Sequence, residues 1–424
     1  MMCENQKSTK SPNHSQSAVQ TRYPKYKPSG IEWIGEIPEH WNLKRLKYEV
    51  DYKKGKNPKD LTFDEKGKAY LTMEYLRNNP KQTFFVQDHE NYVAVDEGEI
   101  LLLWDGSNAG EFIKSKEGVL ASTMASLKIC NQEIDYAWYF FKVFERQLKE
   151  TTIGMGVPHV SGEEFKNQNF IIPPKSEQTA IANYLDDKTF KIDSLIEKKK
   201  KLIDLLKEKR TAIINQAVTR GIDPKVKLKP SGIDWLGEIP EHWEVKKLKY
   251  VMNSFDHIRV PISADLRGGE KNYDYYGASG VIDKVPDYLF DGDYILIGED
   301  GANLLTRSTN LVFKATGKFW VNNHAHILKP KFGNIDFYVY LLESIDYTIW
   351  VTGSAQPKLT AENLLNVKIW FPETEEQKQI VKHIETETSR IDNTIYKIEK
   401  EIELLQEYRT ALISEVVTGK IKVI

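Results

Sequence analysis

Two stretches of this 424-residue chain are nearly the same. KPSGIEWIGEIPEHWNLKRLKY runs from Lys27 to Tyr48 and KPSGIDWLGEIPEHWEVKKLKY from Lys229 to Tyr250, with 17 of 22 positions identical. A second match follows. PHVSGEEFKNQNFIIPPKSEQTAIANYL from Pro158 aligns with PKLTAENLLNVKIWFPETEEQKQIVKHI from Pro357. Glu177–Gln178 falls on Glu376–Gln377, Ile192–Asp193 on Ile391–Asp392, and Arg210–Thr211–Ala212 on Arg409–Thr410–Ala411, without a gap to Thr219 and Thr418. Internal repetition on this scale sets the architecture. The chain reads as two consecutive units, roughly 22–221 and 224–424. Each has a matching head and a matching tail, while the middles, about 51–155 and 253–352, resemble each other only weakly. The shared parts read as a frame and the middles as variable cargo.

The tails carry helical periodicity. Leu185, Ile192, Leu206 and Ile213 recur every seven residues, interrupted only by Lys199, and Ile384, Ile391, Ile398, Leu405 and Leu412 repeat the pattern. A companion stripe holds Ile196, Ile203 and Ala217 against Ile395, Ile402 and Val416. A strict heptad over this length marks a left-handed coiled-coil seam. Antiparallel pairing of the two helices would relate the units by a pseudo-two-fold axis. The competing reading packs each helix on its own domain as a core element. Ser176, with Thr179 three residues on, and Thr374, with Gln377 three residues on, are the candidate N-caps. Lys198–Lys201 reads as a solvated helix face.

The middles read as compact α+β domains. GEILLLWDG (98–106) and GDYILIGEDG (292–301) are apolar strands entering Asp-Gly turns, and FWVNNHAHILKP (319–330) alternates as a half-buried strand does. Helical patterns appear at Tyr136–Leu148 and Asp336–Ile345. In the repeated head, Gly30, Gly35 and Pro38 shape turns. Trp33, Trp41, Trp235 and Trp243 are candidates to bury large apolar areas, and His40 and His242 read as structural.

Several functions are excluded by what is missing. No P-loop, HExxH, GxSxG, or Asn/Asp-Pro-Pro-Tyr/Phe methyltransferase motif occurs. Two cysteines, Cys3 and Cys130, are too few for a cysteine zinc site or a disulfide framework, and point to a reducing cytoplasm. No apolar run is long enough to span a membrane, and the polar first 21 residues read as a disordered tail. Asp60 with Asp64, Glu65 and Lys66 distantly suggests a metal nuclease, but the acids stand too close together. His324 and His326 lack a third metal ligand and read as hydrogen-bonded strand histidines. The net charge of −2, from 59 basic and 61 acidic residues, leaves any DNA contact to local patches. Lys53, Lys54, Lys56 and Lys59 around Gly55 suit phosphate oxygens. Tyr273, Tyr275 and Tyr276, with Ser279 between small residues, suit close approach to a nucleic-acid backbone or base edges.

The layout as a whole resembles the specificity subunits of type I restriction-modification systems. The tail PPKSEQTAIANYLDDKTFKIDSLIEK and its second copy from Glu376 to Gly419 are similar to the helical repeat of that family. The IPEHW segments are similar to its domain entries. YYGASGVIDKVPDYLFDGDYILIGEDGANL, ATGKFWVNNHAHIL and GEILLLWDGSNAG resemble its recognition domains. The resemblance implies two α/β target-recognition domains (22–173 and 222–372), joined by two long helices (174–221 and 373–424) that form an antiparallel coiled coil with a pseudo-two-fold repeat. It implies a non-catalytic chain without cofactor or metal that reads a bipartite, asymmetric double-stranded DNA target. Two methyltransferase subunits and restriction motor-nuclease subunits would be its partners. A helix of about 40 residues at ~1.5 Å each is ~60 Å long, which places half-site centres fewer than about 18 base pairs apart. The alternatives are a coiled-coil scaffold that binds protein without DNA, and a stand-alone metal-dependent nuclease.

Overall fold

The computed structural model describes residues 22–78, 80–154, 156–263, 272–353 and 357–423; the amino-terminal tail lies outside them. The chain divides into two compact units. One contains residues up to 197 together with 401–424, and the other residues 198–400.

In the first unit a four-stranded antiparallel sheet runs in the order Val50–Lys54, Met124–Ile129, Ile100–Leu103, Phe112–Lys114. A second sheet orders Phe85–Val86, Lys68–Leu71, Gly118–Leu120 and Ala94–Val95. In it, Lys68–Leu71 and Gly118–Leu120 pair in parallel. The second unit has the same topology. One sheet orders Met252–Ser254, Ala325–Pro330, Tyr294–Gly298 and Val312–Ala315. The other orders Gly280–Val285, Tyr273–Gly277, Lys318–Val321 and Phe290–Asp291. The weakly similar middles thus share one fold.

Each apolar central strand is sandwiched. Ile100 and Leu102 enter a core with Phe140, Phe141 and Phe144 of the helix Ile134–Glu150, while Leu101 and Leu103 enter another with Leu71 and Leu120. Ile295 and Ile297 on one side and Leu296 on the other repeat this. Successive side chains of a strand point to opposite faces, so a strand covered on both sides is apolar throughout. The segment 319–330 departs from the half-buried expectation. It is two strands broken at Asn322–His324, and Ala325–Leu328 are all buried, because the second strand is covered on both faces.

The long helices are Lys175–Arg220, of 46 residues, and Thr374–Val417, of 44. Neither starts with the expected cap. The first begins before Ser176, with the Pro174 carbonyl accepting from the Glu177 and Gln178 N–H groups. The second begins at Thr374 itself, with the Glu373 carbonyl accepting from Gln377 N–H. Gln377 is engaged elsewhere, so no capping box closes.

Each unit combines opposite ends of the two helices, which makes their pairing antiparallel. In the first unit Ile181, Leu185, Ile192 and Ile196 share a core with Leu412, Ile413 and Val416, flanked by Ile402 and Leu405. That same core contains Ile37, Trp41, Phe140 and Phe170, so the helix pair and the domain share one interior. In the second unit Ala217, Val218, Ile380, Val381 and Ile384 join Trp243, Phe337 and Trp370. Ile203, Ile391 and Ile398 are buried, and Leu206, Ile213 and Ile395 half-buried.

Repetition makes the polar contacts between the helices reciprocal. Arg409 Nε lies 2.9 Å from Asp193, and its repeat counterpart Arg210 lies 3.0 Å from Asp392. Both pairs are exposed to solvent and each contributes at most about 1 kcal/mol. They mark register rather than supply stability.

Each helix ends in a left-handed glycine, Gly221 or Gly419, both at φ +74°. Gly419 lies under the first repeated head. A Cβ there would come 2.4 Å from Pro38 and 3.0 Å from the Trp41 ring. Tyr26 Oη donates to its carbonyl at 2.9 Å. At Gly221 the nearest atom to such a Cβ, in Trp243, is 3.5 Å away. Gly221→Ala is therefore expected to cost only the left-handed strain, about 1–2 kcal/mol. Gly419→Ala is expected to cost clearly more, through overlap with Pro38. Comparing urea unfolding midpoints of the two variants checks this ordering.

Candidate nucleic-acid interface

The repeated heads are clasps. In the first, the strand Asn42–Arg45 pairs antiparallel with Asn169–Ile172, immediately before the first long helix. In the second, Glu244–Lys247 pairs with Lys368–Phe371, immediately before the second. The first residues of each helix then reach back. Glu177 Oε2 accepts from the indole N–H of Trp41 at 2.9 Å and from Tyr23 Oη at 2.8 Å, and Oε1 lies 2.6 Å from His40 Nε2. Glu376 takes Trp243 Nε1 at 3.1 Å and His242 Nε2 at 2.7 Å.

The glutamine beside each glutamate holds the domain. Gln178 Oε1 accepts from Glu133 N–H at 3.0 Å, and its amide donates to the Pro173 carbonyl at 2.8 Å. Gln377 does the same with Asn334 N–H at 2.7 Å and the Pro372 carbonyl at 2.9 Å. The Glu-Gln pair therefore joins three segments: head, domain helix and long helix. Trp41 and Trp243 are fully buried, which makes each worth about 3–5 kcal/mol against alanine. Trp235 departs from expectation. It is 42% exposed and meets Trp370 edge-on, because it sits on the outer turn of the head.

On the first domain, Lys53, Lys54, Lys56 and Lys59 are all exposed. Lys53 and Lys54 end a strand, and Lys54 Nζ is 2.8 Å from Asp105 and lies over the Trp104 ring. The tyrosines of the second domain need correction. Tyr275 is buried at 1% exposure, with its hydroxyl accepting from Ile262 N–H at 3.1 Å, so it is a core residue. Tyr276 packs on Phe313 and Phe319, and Tyr273 on Tyr288. With Tyr275 buried and Tyr276 and Tyr273 each packed on a neighbouring ring, the run YDYYG does not present three free tyrosines to a ligand. Ser279 stands exposed at the turn between the two strands.

A network that sequence patterns did not single out lies beside the Asp-Gly turn of the second domain. His326, 1% exposed, meets Asp256 Oδ2 at 2.6 Å and the Leu359 carbonyl at 2.8 Å. Arg259 bonds Glu299 and, at 2.9 Å, the Ala325 carbonyl; Lys358 lies 3.0 Å from Glu299. His324 Nδ1 is 2.7 Å from Asp300. Burial pushes the Asp256 and Glu299 carboxyls up. The facing His326 and Arg259 outweigh it, and Lys358 adds to this at Glu299, so both stay below the usual carboxylate range. Only the pair of histidines was visible beforehand, since their carboxylates come from distant segments.

Asp64 accepts from Lys66 N–H within its own turn and from Gln87. No group of three or more histidines, cysteines or carboxylates fit to hold a metal occurs among the described residues.

The profile described as the type I restriction modification DNA specificity domain matches residues 38–207 and again 240–404. The chain belongs to the type I restriction-modification specificity subunits. It is 32% identical to the type I restriction enzyme MjaVIII specificity subunit of Methanocaldococcus jannaschii, over 91% of this chain and 94% of that protein. A second relative in that organism, the putative MjaX specificity subunit, is 24% identical over 92% and 96%. Among solved structures, a chain from work on assembly and conformational transition of the type I system shares the fold. It has TM-score 0.61 and 13% identity, with 90% of this chain and 98% of that one covered. The S subunit of Thermoanaerobacter tengcongensis aligns at TM-score 0.50 and 14% identity, covering 91% and 98%.

In this specificity subunit the first clasp carries a pH signature at Glu177. Burial raises the Glu177 carboxyl, but bonds from Trp41, His40 and Tyr23 outweigh it and hold it below its ordinary 4.5. A depressed carboxylate stabilises the fold above its unfolded value, and that contribution is lost as pH falls through the folded one. Glu177→Gln is expected to destabilise the chain at pH 7 by about 1–3 kcal/mol. It is also expected to flatten the fall in stability below pH ~4.5. Urea unfolding of both chains across pH 3–7 measures both effects.

Proposed function

We propose that this specificity subunit reads a bipartite, asymmetric DNA target, with residues 22–173 reading one half and 222–372 the other. Residues 174–221 and 373–424 are the shared helical regions. The chain performs no catalysis itself. It recruits two methylating subunits and motor-nuclease subunits, and it works in the cytoplasm; no described helix is long and apolar enough to cross a membrane.

The observation that carries this reading is the contrast between clasp and cargo. Both domains are seated by the same Glu–Trp–His and Gln contacts and share one topology. Their exposed residues nevertheless differ. A frame used twice with different surfaces suits two unlike half-sites better than a palindrome. Exposed Phe190, Tyr396, Leu404 and Tyr408 on the long helices offer apolar anchors for partner subunits.

Lys53, Lys56 and Lys59 act as phosphate contacts in this reading, and Ser279 approaches the backbone from the other domain. Mapping methylated bases in cells with and without the chain is expected to give one interrupted, non-palindromic motif that depends on it. A continuous or palindromic motif would overturn the assignment. Alanine at Lys53, Lys56 or Lys59 is expected to weaken binding evenly across sequences, lowering the salt slope by about 1 per contact. Affinity titrations between 50 and 200 mM salt, on the motif and on unrelated DNA, test that.

A further inference from the structure

The two domains share a loop junction with the same backbone and different side chains. In the first, Gly106 N–H donates to the Pro158 carbonyl, Val160 N–H to Trp104, and Trp104 N–H to Thr123. In the second, Gly301 donates to Pro357, Leu359 to Glu299, and Glu299 to His324. The isolated bridges also match: Asp105 with His159 and Ile153 with His159, against Asp300 with Lys358 and Thr352 with Lys358. These bonds equate Trp104 with Glu299, His159 with Lys358 and Thr123 with His324, while Asp105 and Asp300 keep one residue type. Strand register extends the equation to Lys54, paired with Ala125, and Asp256, which bonds Ile327 N–H beside His326.

One constant backbone therefore carries a different chemical face in each domain. At 41%, 48% and 52% side-chain exposure, Lys54, His324 and Lys358 stand at its rim. Each is steered by a less exposed carboxylate, Asp105, Asp300 or Glu299 respectively. Heads locked in this way are preorganised for directional contacts. The charges are paired within each junction, which disfavours plain phosphate attraction, whereas base edges offer donors and acceptors side by side. Exposed Lys53 and Lys56, adjacent in sequence, are placed to take the phosphates.

We propose that this junction is the base-reading edge of each recognition domain: Lys54, Asp105 and His159 in the first, His324, Asp300 and Lys358 in the second. The ligand is the set of base edges of a DNA half-site. The basic groups serve purine acceptors such as guanine O6 and N7, and the carboxylates serve cytosine amino groups. This rests on the two-half-site reading above.

The test uses the complete methylating complex, with motif mapping for the parent chain and for Lys54→Ala and the double variant His324→Ala, Lys358→Ala. Lys54→Ala is expected to relax one or two base pairs of one half-site, cutting discrimination there roughly 10- to 100-fold and leaving the other half intact. The double variant is expected to relax the other half. A full motif in the variants, or a uniform loss of methylation at every site, would overturn the proposal. If a variant fails to fold, Lys54→Arg and Lys358→Arg replace it. A changed base preference in the corresponding half-site then supports the assignment, and an unchanged motif overturns it. If the parent chain itself directs no interrupted motif, the two-half-site reading fails instead, so the two failures are distinguishable.

Discussion

One carboxylate near the start of each long helix holds the rest in place. Glu177 takes the indole N–H of Trp41, and Glu376 that of Trp243, each with the neighbouring histidine on the second oxygen. A buried indole N–H needs an acceptor, and a carboxylate taken from water needs donors; each meets the other's requirement. The adjacent glutamine then ties the same turn to the loop before the domain helix. This turn, the strand pair just before it and the shared core together fix each helix's exit from its domain.

The clasp also explains how hydrophobic burial is shared. In the first unit the side chains that pair the helices, Leu185 and Val416 among them, belong to the same core as Trp41 and Phe140. Coiled-coil seam and domain core are therefore one interior, and helix pairing does not rest on the seam alone. The two reciprocal Arg–Asp pairs add only what exposed ion pairs add. Stability comes from apolar burial, while the charges keep register. The terminal glycines complete the arrangement, since only a residue tolerant of positive φ and lacking a Cβ can turn beneath Pro38 at position 419.

Much of the frame was legible in the residues. Faithful repetition exposed the two units, and the heptads of Ile384, Ile391 and Ile398 exposed long helices, because periodicity survives as a one-dimensional signal. The candidate site was less legible. Lys53, Lys54, Lys56 and Lys59 are exposed as composition suggests, but Tyr275 is core and Tyr273 and Tyr276 lean on other rings. A tyrosine-rich strand looks the same whether it faces solvent or a second layer. Neither Ser176 nor Thr374 caps its helix. The Pro174 carbonyl already takes the Glu177 and Gln178 N–H groups, and the Gln377 side chain, the partner a capping box requires, is held by the Asn334 N–H and the Pro372 carbonyl.

The sequence by itself determined that one frame is used twice, that it includes two long heptad helices, and that the inserted domains differ. Those facts are written in identity, spacing and period. Only the tertiary structure decided that the two dissimilar middles have one topology, and that Trp104 and Glu299 occupy the same place. It also decided that Asp256, Glu299 and His326 meet in one network. These relations depend on which strands pair and which loops bridge, and hydrogen bonds between distant backbones leave almost no trace in the identity of the residues that make them.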